Sequence, residues 1–193
     1  MYLNTTKNLK HILFTFSMIE LEKTYLAKFL PEKLQLCPFK EIIDIYIPNE
    51  KNHSTLRIRK CGDTYEITKK QPEHGGDSSK QTEHTISLTP MEFNLLRTIP
   101  GKRVHKIRYY YPYHERTIEI DVFQKPLQGL VLVDVEFLNE GEKDAFQMPP
   151  FCLREVTQEL LLAGGMLCGK TYEDIAHGLE AFHYTKLFLT STS

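Results

Sequence analysis

Charged and apolar side chains alternate along this chain with a period of two. Glu20-Leu21-Glu22, Arg57-Ile58-Arg59, Lys106-Ile107-Arg108, Glu119-Ile120-Asp121 and Asp134-Val135-Glu136 each set two charges two positions apart around an apolar residue. Successive side chains on a strand point to opposite faces, so each charge pair shares one face and the apolar residues take the other. One such strand would describe any sheet with a wet face and a packed face. A set with carboxylate pairs on three strands and cation pairs on two says more, because a solvated face usually mixes its charges with Ser, Thr and Gln. The pattern reads as a closed, charged interior with its apolar face turned outward under helices. Buried charges are costly unless paired, so such an interior calls for a polyanion and metal ions.

Strand signals dominate the rest of the chain. Strands are expected over 19–26, 42–47, 55–60, 64–70, 81–88, 101–111, 116–123 and 130–138. Pro48 and Asn49 end the second, Cys61-Gly62-Asp63 forms a hairpin loop, and 71–79, with Pro72, Gly75 and Gly76, reads as a loop. Short turns at repeated spacing imply an antiparallel core closed or nearly closed on itself. Thr89-Pro90-Met91-Glu92 carries a helix N-cap, a first-turn proline and a capping-box glutamate. Further helices are expected over 140–146, 153–163 (stopped by Gly164-Gly165) and 172–182. Residues 18–193 form one domain, and 1–17 is expected to be a leader without ordered structure. Its apolar run, Ile12-Leu13-Phe14-Thr15-Phe16, is too short to span a membrane, so no membrane association is expected.

The composition sharpens this reading. At 193 residues the chain suffices for one well-buried domain and is short for two. Its 24 Lys and Arg against 25 Asp and Glu leave a net charge of −1, which argues against a nucleic-acid partner. The cations at alternate strand positions are therefore a local feature. Cys37, Cys61, Cys152 and Cys168 show no CxxC spacing, which suggests a reducing, cytoplasmic setting. His53, His74, His84, His105, His114 and His177 lack metal-ligand spacing and read as surface residues.

In sequence order, Glu20-Leu21-Glu22, Leu56-Arg57-Ile58-Arg59, the strand 65–70, Lys106-Ile107-Arg108-Tyr109, Ile120-Asp121-Val122-Phe123 and Asp134-Val135-Glu136-Phe137 resemble the motif strands of the CYTH superfamily, the triphosphate tunnel metalloenzymes. Val156-Thr157 and Gly169-Lys170-Thr171-Tyr172 are similar to that family's C-terminal end. The resemblance spans about residues 18–185; each motif is weak alone and the ordered set is specific. It implies an α+β, mainly β fold: an eight-stranded antiparallel closed barrel with a charged interior, a triphosphate tunnel and flanking helices.

The resemblance also implies roles. Arg57, Arg59, Lys70, Lys106, Arg108 and Lys170 would bind phosphate, with Lys80 a further candidate, because a guanidinium fork and ammonium groups suit phosphate oxygens. Glu20, Glu22, Asp121, Asp134 and Glu136 would hold Mg²⁺ or Mn²⁺, hard cations that prefer oxygen ligands. Glu22 and Glu136 would be catalytic, and Glu83 and Glu119, on the inward register, would orient the basic residues. The implied activity is metal-dependent hydrolysis of the terminal phosphate of inorganic tripolyphosphate or an organic triphosphate. The alternatives are an adenylate cyclase of the same fold and a non-catalytic polyphosphate- or nucleotide-binding module. One position departs from the pattern: Thr24 stands where ExExK has lysine, and Lys23 falls on the opposite face. A hydroxyl can bond water or phosphate but adds no charge, so another inward cation, Lys70 or Lys106, is expected to compensate.

Overall fold

The computed structural model describes residues 18–50, 54–72 and 78–189, so the expected leader, 1–17, lies outside the described residues. Its strands are β1 (Met18–Ala27), β2 (Phe39–Ile47), β3 (Leu56–Cys61), β4 (Thr64–Pro72), β5 (Lys80–Leu88), β6 (Lys102–Tyr113), β7 (Arg116–Phe123), β8 (Val131–Phe137) and β9 (Cys152–Glu155). The helices are α1 (Pro90–Leu96), α2 (Glu140–Ala145), α3 (Gly164–Leu167) and α4 (Tyr172–Glu180). Strands follow one another around the sheet as β5-β4-β3-β2-β6-β7-β8-β1, and β1 pairs antiparallel with β5 to close an eight-stranded barrel. β9 adds to β1 from outside.

The alternation places the charges inside. On β7 and β8, Ile118, Ile120, Val122, Val131, Val133 and Val135 face outward and pack with Leu21, Tyr25, Leu34 and Phe151. Phe93 of α1 covers Ile45, Ile47 and Ile58 on another flank. Each fully buried side chain of this size contributes about 1.5–3 kcal/mol, so along the charged strands the outer face carries the hydrophobic stabilisation. α1 opens on the expected capping box, with Thr89 and Glu92 bonding reciprocally. Gly62 takes a φ of 57° in the β3–β4 hairpin, a conformation that suits glycine. At one end of the barrel, Tyr46, Val104, Phe123 and Leu132 pack with Leu162 and Leu167, behind which Ile175 and Leu179 of α4 are buried.

The segment expected to be helical over 153–163 folds differently. It supplies β9, then a 3-10 turn at Leu160–Leu162, and α3 begins at Gly164, where a stop was expected. β1 causes this. It pairs with β5 only through Leu21, then leaves an open edge at Tyr25, Leu26 and Ala27, which Glu155, Arg154 and Cys152 occupy. Satisfying that edge outweighs the helical spacing of the leucines. Among the described residues, no helix is long and apolar enough to cross a membrane.

Candidate active site

Sheet order sorts the inward charges into two arcs. β4, β3, β2 and β6 are neighbours and carry Lys70, Arg57, Arg59, Lys40, Lys106 and Arg108. β7, β8, β1 and β5 complete the circle and carry Glu119, Asp121, Asp134, Glu136, Glu20, Glu22 and Glu83. The exceptions on the basic side are Asp44 and Glu66. All of these line one cavity of about 500 Å³.

Ion pairs lock both junctions between the arcs. Where β4 meets β5 and β1, Lys70 Nζ donates to Glu20 and lies 3.2 Å from Glu83. Burial would raise the Glu83 pKa, but Lys70 and the Thr85 hydroxyl bring it down to about 2. Where β6 meets β7, Lys106 Nζ donates to Asp121, and Arg108 donates to Asp121 through Nε and Nη2, each at 2.7 Å. Arg108 also reaches Glu119, and its Nη2 donates to Asp134 at 3.1 Å. Burial opposes ionisation of Asp121, yet Arg108 and Lys106 outweigh it and hold this carboxyl well below the usual range.

The middles of the arcs differ from the junctions. Arg59 is held bidentately by Asp44, Nε at 2.7 Å and Nη2 at 2.9 Å, and Asp44 is 2% exposed. Burial alone would raise the Asp44 pKa, but Arg59 and Arg57 keep it far below the carboxylate range. Arg57 stands 4.0 Å from Asp44, too far to bond, and its buried Nε has no hydrogen-bond partner among the described residues. An unsatisfied buried donor beside a paired guanidinium is a place for an anion. In the acidic arc, Glu22 and Glu136 sit directly opposite each other on β1 and β8, and Asp134 opposes Glu119 on β8 and β7. Burial pushes the Glu22 pKa up to about 7; Lys70 opposes the rise, while Asp134 and Glu20 add to it.

The chemistry of this acidic arc suits a divalent cation. Its donors are carboxylate oxygens alone, and like charges facing each other across strands are relieved by a cation. Among the described residues, no three of these carboxylates stand in ready ligating geometry, so side chains would rotate to bind one. Glu20, Glu22, Asp134 and Glu136 all line the lumen, and Glu136 is the most exposed of the four. Asp121 is 1% exposed with both oxygens given to Lys106 and Arg108. The cavity brings together Arg57, Arg59, Lys70, Lys106 and Arg108 but not Lys170, which is half-buried between α3 and α4. Lys80 pairs with Glu140 at 3.5 Å, and Lys23 faces outward toward Glu155 at 3.8 Å. Thr24 lines the lumen and donates to Asp134 Oδ1 at 2.8 Å.

Sequence reading missed Asp44, Lys40 and Glu66. Asp44 had a signal: a single acid within Ile42-Ile43-Asp44-Ile45, on the same parity as Lys40 and Tyr46. Thr157, which also lines the cavity, had none beyond the C-terminal motif.

The fold and lumen define a closed antiparallel barrel built around an enclosed site of opposed charges. The family model for the CYTH domain matches residues 24–172, and the chain belongs to that family. It is similar to the inorganic triphosphatase of Nitrosomonas europaea, at 34% identity over 144 residues, 74% of this chain and 91% of the relative. Among solved structures it resembles the inorganic triphosphatase NE1496, with a TM-score of 0.58, 26% identity and coverage of 79% of this chain and 96% of the other. A second structure of NE1496, described as a hypothetical protein, gives a TM-score of 0.57 and 29% identity over 79% of this chain and 99% of the other.

Proposed function

We propose that this enzyme is a metal-dependent triphosphatase that removes the terminal phosphate of inorganic tripolyphosphate, acting in the cytoplasm. The observation that carries this reading is the enclosed lumen with Arg57 and Arg59 in one wall, Arg57 keeping an unpaired buried donor, and carboxylates in the other. The similarity to a relative named for inorganic triphosphate supports the same substrate.

Arg57 and Arg59 bind non-bridging phosphate oxygens, the first through its free Nε and the second from the position Asp44 fixes. Lys70, Lys106 and Arg108 add positive potential at the junctions, where their carboxylate partners hold them in place. Glu20, Glu22, Asp134 and Glu136 would hold Mg²⁺ or Mn²⁺, while Asp121 orients Lys106 and Arg108. A cation held by these residues would supply charge compensation to the phosphates and lower the pKa of a water for in-line attack. Glu22 faces the lumen directly opposite Glu136, and its carboxylate is placed to accept the proton that water loses. No covalent nucleophile is needed.

The test is phosphate release from tripolyphosphate, ATP and thiamine triphosphate, each with Mg²⁺ and with Mn²⁺. Tripolyphosphate should have the highest kcat/KM by at least about tenfold, equivalent to about 1.4 kcal/mol in the transition state. A nucleotide preferred over tripolyphosphate would contradict the assignment of substrate, and cyclic nucleotide as product would replace hydrolysis by cyclisation.

A further inference from the structure

We infer that Thr24 is a positioning residue: its hydroxyl fixes the carboxylate of Asp134 so that this group can take a divalent cation. The inference rests on the cation role given to Asp134 above.

Two contacts fix the backbone of Thr24 before its side chain is considered, and a third anchors one of its partners. Its N–H donates to Thr157 Oγ1 at 3.1 Å, and its carbonyl accepts from Val156 N–H at 2.8 Å. Thr157 Oγ1 in turn donates to Glu155 Oε1 at 3.0 Å. These contacts lie where β1 has left β5, so the segment after β9 clamps β1 at the level of the acidic arc. The Thr24 hydroxyl then donates to Asp134 Oδ1 at 2.8 Å across the β1–β8 pair. Arg108 Nη2 holds the other oxygen, Oδ2, at 3.1 Å.

A carboxylate offers about four acceptor positions, so two donors leave Asp134 with two still open. One of its two donors is neutral. Threonine orients Asp134 without neutralising it. The departure from the ExExK pattern therefore bears on the acidic arc and not on phosphate contact.

The experiment measures Mn²⁺ affinity of the metal-free protein by isothermal titration calorimetry, alongside kcat and KM for tripolyphosphate, in Thr24→Val and Thr24→Ser. Thr24→Val keeps the shape of the side chain and removes the donor; its Kd for Mn²⁺ should rise about tenfold, with kcat falling and KM nearly constant, as expected for loss of a charge-assisted hydrogen bond. Thr24→Ser should stay within about twofold of the parent, since the donor remains. Circular dichroism melting confirms that each variant folds. Parent-like Mn²⁺ affinity in Thr24→Val would overturn the inference while leaving the proposed function standing, as would a serine variant as weak as the valine one. A parent protein that binds no Mn²⁺ would overturn both.

Discussion

Replacing Glu22 by Gln tests the electrostatics of the acidic arc directly. Glu22 has a pKa of about 7 in the folded barrel against 4.5 for an ordinary glutamate, chiefly because of burial. Between those values the folded protein retains a proton that the unfolded chain has released. Stability of the metal-free protein therefore falls as pH rises through this interval, at about 1.4 kcal/mol per pH unit for one group. The whole interval amounts to about 3 kcal/mol, an upper figure because Glu22 keeps some surface toward lumen water. In a chain of this size that loss corresponds to a fall in Tm of about 6–12 °C between pH 4.5 and pH 7. Glutamine does not titrate, so Glu22→Gln should lose this contribution, keep those of Glu20 and Glu119, whose pKa values burial also raises, and be more stable than the parent at pH 8. Asp44, Asp121 and Glu83 have depressed pKa values, so their contributions are present above the ordinary carboxylate range and are lost only in acid, in parent and variant alike. The assay is thermal melting of chelator-treated protein at pH 5, 6, 7 and 8, repeated with Mn²⁺. The cation binds the ionised form, so it should raise the Tm of the parent more at pH 8 than at pH 5. Parallel melting profiles for parent and Glu22→Gln would refute the claim that burial and neighbouring carboxylates strain this position.

The remaining predictions concern the basic arc and the chain's beginning. Arg57→Ala should raise KM for tripolyphosphate by roughly tenfold to a hundredfold with a smaller effect on kcat, as loss of one charge-assisted contact of about 1.5–3 kcal/mol requires; an unchanged KM would remove Arg57 from the binding set. Asp44→Asn breaks the bidentate pair and leaves the buried Arg59 only the looser ion pair with Glu66 at 3.9 Å; urea denaturation should show a loss of about 3–5 kcal/mol, and a loss below about 1 kcal/mol would contradict the pairing. Deleting residues 1–17 retains all of β1 and should leave melting temperature and turnover unaltered, which thermal melting and a phosphate-release assay can check.

The sequence carried the barrel strands because their periodicity is local. Glu20 and Glu22, or Arg57 and Arg59, must share a face whatever the rest of the chain does. It could not carry the two arcs, because these arise from strand order: Lys106 and Arg108 neighbour Arg57 and Arg59 only through β2, which sits between β3 and β6. Asp44 escaped for a related reason. An acid among isoleucines is costly in isolation, and the bidentate contact to Arg59 that makes it stable exists only once β2 and β3 pair. The stretch 153–163 carried helix-like spacing, but an edge of β1 that β5 fails to cover took it as a strand. Lys170 entered through family resemblance alone, and the fold keeps it away from the cavity.

The central claim is that the charged lumen hydrolyses tripolyphosphate with the help of a divalent cation held by the acidic arc. Phosphorus NMR of tripolyphosphate incubated with the purified protein tests this most directly. With Mn²⁺ or Mg²⁺ the account predicts that pyrophosphate and orthophosphate appear in equal amounts, that excess chelator stops the reaction, and that restored cation revives it. Full turnover in excess chelator, or tripolyphosphate left intact with either cation present, would contradict it.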